Sequence, residues 1–228
     1  MIPLRDENPS STVPVVTRLV VAVNCVVFLY EILLGPDLRQ FTMTWGLVPQ
    51  RLTAAFVTGE EPVTAGIATL FTSMFLHGGW AHLIGNMWYL LIFGDNVEDV
   101  LGKGRFLAFY LASGVIAALA QYFANASSAL PTVGASGAIA GVLGAYLARF
   151  PRARVVTLIP LFPFFQVAAL PASLVLGLWF VFQFFSGALT LAWSVHGGVA
   201  WWAHVGGFAF GWLAMHVVKR TDADRWIG

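Results

Sequence analysis

Residues 134–149 read Gly-Ala-Ser-Gly-Ala-Ile-Ala-Gly-Val-Leu-Gly-Ala-Tyr-Leu-Ala-Arg. Gly134, Gly137, Gly141 and Gly144 recur at steps of three, four and three, which fall along one face of a helix. A face of small residues lets a second helix approach backbone to backbone, the packing mode that membranes favour. Ser136, the only aliphatic hydroxyl in the stretch, stands at its head beside that face. The run stays apolar until Arg149, yet it falls short of the roughly 20 residues needed to cross a bilayer. A short glycine-faced helix with a polar head belongs inside a bundle.

The rest of the chain agrees. Of 228 residues, 58% are hydrophobic and 10% charged, whereas soluble domains are about a quarter charged. The net charge of +1 makes no case for nucleic acid as a partner. With Cys25 as its one cysteine, the chain can form no internal disulfide and no cysteine cluster for a metal; Cys25 reads as a small buried hydrophobe. Neither a metal nor a cofactor is expected. Apolar runs near 15–34, 80–100, 104–123, 135–150, 170–187 and 200–218 predict an all-α polytopic membrane protein with six transmembrane helices. Everything between them reads as helix or loop. The first run lacks a small-residue cleavage site and is expected to be retained. The domain reading is a polar cytoplasmic segment at 1–14, one helical domain at 15–218 and a basic cytoplasmic tail at 219–228.

Orientation follows from the basic residues. With both termini inside, Arg5, Arg18, Lys103, Arg105, Arg149, Arg152, Arg154, Lys219, Arg220 and Arg225 all fall on the inner side. Only Arg39 and Arg51 are left outside, both in the first outer loop, residues 35–79. That loop is too long for a bare connection. It carries Phe41, Trp45 and Phe56 and an apolar stretch at 65–76, and is expected to lie in the membrane interface.

Embedded polar residues are costly in lipid and mark function. His82 and Asn86 lie in the second run, Ser136 in the fourth and His204 in the sixth. Counting about 1.5 Å of rise per residue from the nearest inner-side charge places all of them roughly 18–24 Å above the inner face. Three helices therefore bring polar groups to one layer, about 10 Å below the outer surface. His204, Gly207 and Gly211 share a face of the sixth helix as the glycines do on the fourth. A serine is a weak nucleophile until a base takes its proton, and His204 is the candidate base. His82 and Asn86, at i and i+4, can offer side-chain donors to an oxyanion, with the Ser136 amide as a third. No embedded Asp stands ready to orient His204, so a dyad is expected. The polar loop 125–132 offers a path for water.

At these residues the sequence resembles the rhomboid intramembrane serine proteases, in their bacterial six-helix form. The matching segments are Gly134-Ala135-Ser136-Gly137, Ala203-His204-Val205-Gly206-Gly207 and His82-Leu83-Ile84-Gly85-Asn86. The resemblance spans about residues 15–218. It implies Ser136 as nucleophile, His204 as general base, His82 and Asn86 as oxyanion donors, and Gly134, Gly137 and Gly207 as supporting small residues. It implies single-pass membrane proteins as substrates, entering sideways between the second and fifth helices. Trp179, Phe180, Phe182, Phe184 and Phe185 would form the gate face, and residues 187–200 a flexible cap. His77 matches a family position near the outer end of the second helix. The expected location is the inner (plasma) membrane, with the site opening toward the outer face. Two departures stand out. Ala140 occupies the position where some members carry a tyrosine beneath the histidine ring, and the Trp-Arg pair of the first loop is missing.

Other readings fit fewer residues. A bis-histidine haem protein would use His82 and His204 but leave Ser136 and Asn86 without a role. A non-catalytic relative would be expected to lack the serine or the histidine. A channel or transporter would show more lumen-facing polar residues. His196 and His216 read as solvated loop and interface residues, and Asp95, Glu98 and Asp99 as caps at the inner end of the second helix.

Overall fold

The computed structural model describes residues 1–161, 163–193 and 198–218. His196 and the tail 219–228 lie outside the described residues. Long helices form where the apolar runs lie: α1 (Val15–Leu33), α5 (Trp80–Leu101), α6 (Lys103–Ala124), α7 (Ser136–Arg149), α8 (Ala172–Ala192) and α9 (Trp201–Val217). The segment 35–79 is folded into short helices, α2 (Leu38–Trp45), α3 (Pro49–Thr53) and α4 (Val63–Thr72), joined by tight helical turns. Among the described residues, α1, α6 and α8 are long and apolar enough to cross a membrane. α5 carries Asp95, Glu98 and Asp99, and α7 and α9 are shorter.

α7 is the centre of the bundle. Every residue from Gly137 to Tyr146 is buried, enclosed by α5, α6 and α9, with α8 closing one side against α9. α5 and α6 are joined by Gly102 alone, at φ +74°, a left-handed conformation only glycine adopts without strain. The segment before α7 is tied to the first loop by paired backbone bonds, Leu47 N–H to Thr132 O (3.1 Å) and Thr132 N–H to Leu47 O (2.7 Å). Arg51 braces that loop, donating to Glu61 Oε1 (2.8 Å) and to the Met43 carbonyl (2.6 Å). The guanidinium holds the Glu61 carboxyl below its ordinary range. This contact secures the loop.

The all-α reading needs correction. β1 (Ile2–Asp6), β2 (Arg154–Leu161) and β3 (Phe164–Pro171) form an antiparallel sheet in the order β1-β2-β3. The segment read as polar N-terminal chain supplies one strand, and the connection between the fourth and fifth helices supplies two. Strand alternation is invisible there because residues 155–171 are apolar on both faces. β3 also takes residues 170 and 171 from the fifth helix, which starts at Ala172 and runs on to Ala192.

The acidic residues of α5 serve a different helix end from the one expected. Glu98, 1% exposed, accepts the N–H groups of Val16 (2.9 Å) and Thr17 (2.7 Å) and the Thr17 hydroxyl (2.8 Å). It thereby caps the start of α1, whose own N-cap position, Pro14, makes no side-chain cap bond. Asp99 accepts the Ser11 and Thr12 hydroxyls in the same way. Glu98→Ala leaves these buried donors unsatisfied, at about 1–3 kcal/mol per group. It is expected to lower the melting temperature of detergent-purified protein by several degrees, with Glu98→Gln intermediate. A melting curve unchanged in Glu98→Ala would remove the cap from the stability account.

Candidate active site

Glycine contact builds the site. A Cβ on Gly207 would strike the Gly137 carbonyl, and one on Gly211 the Gly141 carbonyl. A Cβ on Gly144 would strike the Phe208 carbonyl. α7 and α9 therefore cross with their backbones in contact. Ser136 precedes the first of these contacts by one residue on α7, and His204 by one turn on α9. The crossing carries them within reach: His204 Nε2 lies 2.7 Å from Ser136 Oγ.

The other ring nitrogen explains how the imidazole is held. His204 Nδ1 lies 2.6 Å from Gln183 Oε1, and Gln183 is 5% exposed. An amide oxygen only accepts, so Nδ1 carries the proton and Nε2 presents its lone pair to the Ser136 hydroxyl. Trp179, one turn before Gln183 on α8, packs its ring 5.8 Å from the imidazole. Support beneath the ring thus comes from α8, where Ala140 offers none. Sequence reasoning missed Gln183. The available signal was a lone amide inside an apolar helix, three residues before Ser186.

Gly134, at φ +125°, turns the chain into α7. A side chain there would collide with His82 Nε2, at 2.6 Å from its Cβ. His82 Nδ1 accepts the Gly78 N–H at 3.3 Å, so a neutral His82 carries its proton on Nε2, the nitrogen beside Gly134. Asn86 is buried, and its Nδ2 has no hydrogen-bond partner among the described residues. The Ser136 amide, in the first turn of α7, has no place in the intrahelical ladder. His82, Asn86, Ser136, Gln183 and His204 all line one cavity of about 810 Å³. Behind His82 stands His77, with ring centroids 5.1 Å apart, and the His77 N–H donates to the Glu31 carboxylate at 3.1 Å. Glu31, buried in α1, was a second residue the sequence did not single out.

Two expectations change. Residues 187–200 are not one flexible cap, because α8 continues through Ala192. The fifth-helix aromatics divide: Trp179 faces His204, whereas Phe182, Phe184 and Phe185 are exposed by 43–61%. With both His204 nitrogens engaged, neither is free for a haem iron.

The Rhomboid domain model matches residues 64–221, which include all three motif segments. The chain belongs to the rhomboid family. It is 32% identical over 165 residues to presenilin-associated rhomboid-like protein A, mitochondrial, of Danio rerio, covering 71% of this chain and 40% of that protein. It is 41% identical over 78 residues to the putative rhomboid protease YdcA of Bacillus subtilis (strain 168), covering 34% of this chain and 39% of that protein. To the rhomboid protease GluP of the same organism it is 46% identical over 78 residues, 34% of this chain and 15% of that protein. The chain spans about two fifths of the length of the mitochondrial relatives it matches. A rhomboid domain and apolar helices of spanning length make it a membrane protein.

Proposed function

We propose that this rhomboid is an intramembrane serine endopeptidase that cuts single-pass membrane proteins through a Ser136–His204 dyad. The observation that carries this reading is the 2.7 Å contact between Ser136 Oγ and a His204 whose other nitrogen is already held. Six spans, both termini on the cytoplasmic side of the plasma membrane and an outward-opening site complete the proposal, supported by the basic residues on one side.

Ser136 Oγ attacks the scissile carbonyl carbon as its proton passes to His204 Nε2. The oxyanion develops where the His82 Nε2–H and Asn86 Nδ2–H groups beside Gly134 meet the Ser136 N–H, donors fixed before the reaction. His204 then gives its proton to the leaving amine. Water, deprotonated by the same nitrogen, hydrolyses the acyl-enzyme and frees Ser136. The nucleophile's hydroxyl and the base need no metal.

The test is cleavage of a helix-spanning substrate in liposomes, alongside labelling by a fluorophosphonate probe. Wild type that neither cleaves nor labels would end the reading. Gln183 has its own expected result. Gln183→Met removes the acceptor that fixes the Nδ1–H tautomer, and kcat should fall about 10- to 100-fold, within the range by which tautomer and positioning residues act. KM should stay close to wild type. Gln183→Glu should recover much of the rate and move the acid limb of the pH–rate profile upward, because a carboxylate stabilises the imidazolium. Unchanged kcat in Gln183→Met would assign the amide to packing.

A further inference from the structure

Glu31 is the acidic residue of α1, 2% exposed and unused by the mechanism above. It stands thirteen residues beyond Arg18, about 20 Å of helix rise, which is the layer of Ser136. A carboxylate so placed is costly unless it makes specific contacts. Its contacts lie in the turn that leads into α5. Both oxygens face the His77 N–H, Oε2 at 3.1 Å and Oε1 at 3.4 Å. That N–H lies between helices: the helical turn before it ends at Phe75, Leu76 is extended at φ −88° and ψ 150°, and α5 starts at Trp80. A buried N–H in such a gap needs an acceptor from elsewhere. Phe28, three residues before Glu31 on α1, meets the same turn through its ring, edge-on to His77 (6.5 Å) and Trp80 (5.0 Å). α1 thus grips residues 77–80 by a hydrogen bond and two aromatic contacts.

The next peptide carries the consequence. The Gly78 N–H donates to His82 Nδ1 at 3.3 Å, and this bond leaves the imidazole proton on Nε2, beside Gly134. If the turn shifts, Nδ1 loses its donor and is open to the proton itself. Nε2 then presents a lone pair where the oxyanion requires a donor. The peptide that Glu31 holds and the peptide that sets the His82 tautomer are consecutive.

We propose that Glu31 is a positioning residue, anchoring the turn at His77 and Gly78 so that His82 keeps its proton on Nε2, toward the oxyanion. The proposal deepens the protease reading above and rests on it. The requirement is for an acceptor of that reach, not for a charge.

Variants of the full chain in liposomes test it. Glu31→Gln keeps the reach and an accepting oxygen, and its kcat should stay near wild type. Glu31→Asp keeps the charge but draws the oxygens back by one methylene; Glu31→Leu removes them. Losing an oxyanion donor outright costs about 10²- to 10³-fold in kcat, so a misplaced one should cost about tenfold in Glu31→Leu, at unchanged KM. Glu31→Asp should share the direction of that loss. In a His82→Ala background Glu31→Leu should cost nothing further, because the donor it positions is gone. Nitrogen-15 spectra of histidine-labelled protein read the tautomer directly, His82 being assigned by its absence in His82→Ala. Nδ1 should be unprotonated in wild type and Glu31→Gln, and partly protonated in Glu31→Leu.

A tenfold loss that persists in the His82→Ala background would make Glu31 a residue of the fold alone and overturn the proposal. So would wild-type kcat and spectra in Glu31→Leu, or a loss in Glu31→Gln that Glu31→Asp does not share. Should Glu31→Leu fail to fold, the comparison of Gln with Asp decides. The spectra need no turnover. Wild type that neither cleaves nor labels therefore ends the protease reading, while the link from Glu31 to the His82 tautomer is judged on the spectra.

Discussion

Ser136→Ala is expected to abolish cleavage of a helix-spanning substrate and labelling by a fluorophosphonate, with the fold intact. The substitution removes one oxygen, whose side-chain partner among the described residues is His204 Nε2. Ser136 lines the cavity and is not itself part of the packed interior of α7, so melting should move little. His204→Ala should be equally inactive for a different reason: the nucleophile survives but keeps its proton. In dyads and triads the members act as a unit, so the double variant should be no worse than either single one, each losing on the order of 10⁴-fold or more. Detergent-solubilised protein, assayed with matched substrate and probe, gives both readouts. Retained cleavage in both variants would displace the dyad, and labelling retained in Ser136→Ala would place the nucleophile elsewhere.

Gly211→Ala is expected to be nearly as damaging, although residue 211 lies two turns from His204. Its new methyl would occupy the place of the Gly141 carbonyl, an atom of a helix backbone that cannot rotate away. α9 must therefore move off α7, carrying His204 with it. A displacement of about 1 Å at a reacting centre costs on the order of 10²-fold in rate. Overpacking at such a contact costs about 1–3 kcal/mol in stability. Gly177→Ala on α8, where a Cβ meets nothing within 4 Å, is the control and should leave both quantities near wild type. Cleavage rates and melting temperatures measured together separate the effects. Equal rates for Gly211→Ala and Gly177→Ala would mean that the helix crossing does not position the base.

The helices were legible because their signals are long and redundant. α7 is the clearest instance: glycine spacing, a polar head and Arg149 at its foot each mark a different property of the same segment. The pairing of Ser136 with His204 could be argued from depth because rise per residue is nearly constant along a helix. Gln183 escaped that reasoning. Its depth matches, but one amide among Phe182, Phe184 and Phe185 carries no motif, and which face of α8 turns inward is decided by Trp179 packing on α9. Glu31 escaped for a similar reason, since its partner is a backbone N–H at His77 and not a side chain. The sheet was hidden by composition. Where both faces of a strand are apolar, alternation vanishes, and β1 depends on residues some 150 positions away that no local pattern announces.

That distance gives the N-terminal strand its place in the order of assembly. Ile2 to Asp6 meet β2 only after residue 158 has been made, and Asp6 meets Tyr146 across 140 positions of sequence. Contacts of such separation form late, because the intervening chain must first be confined. Residues 2–6 are thus made long before their partners and are among the last to pair. Until they do, the hairpin that follows α7 has two open edges in place of one, and the Pro3 carbonyl, which accepts the Trp88 indole N–H, is still outside the fold. Assembly of the sheet finishes when β1 closes onto β2.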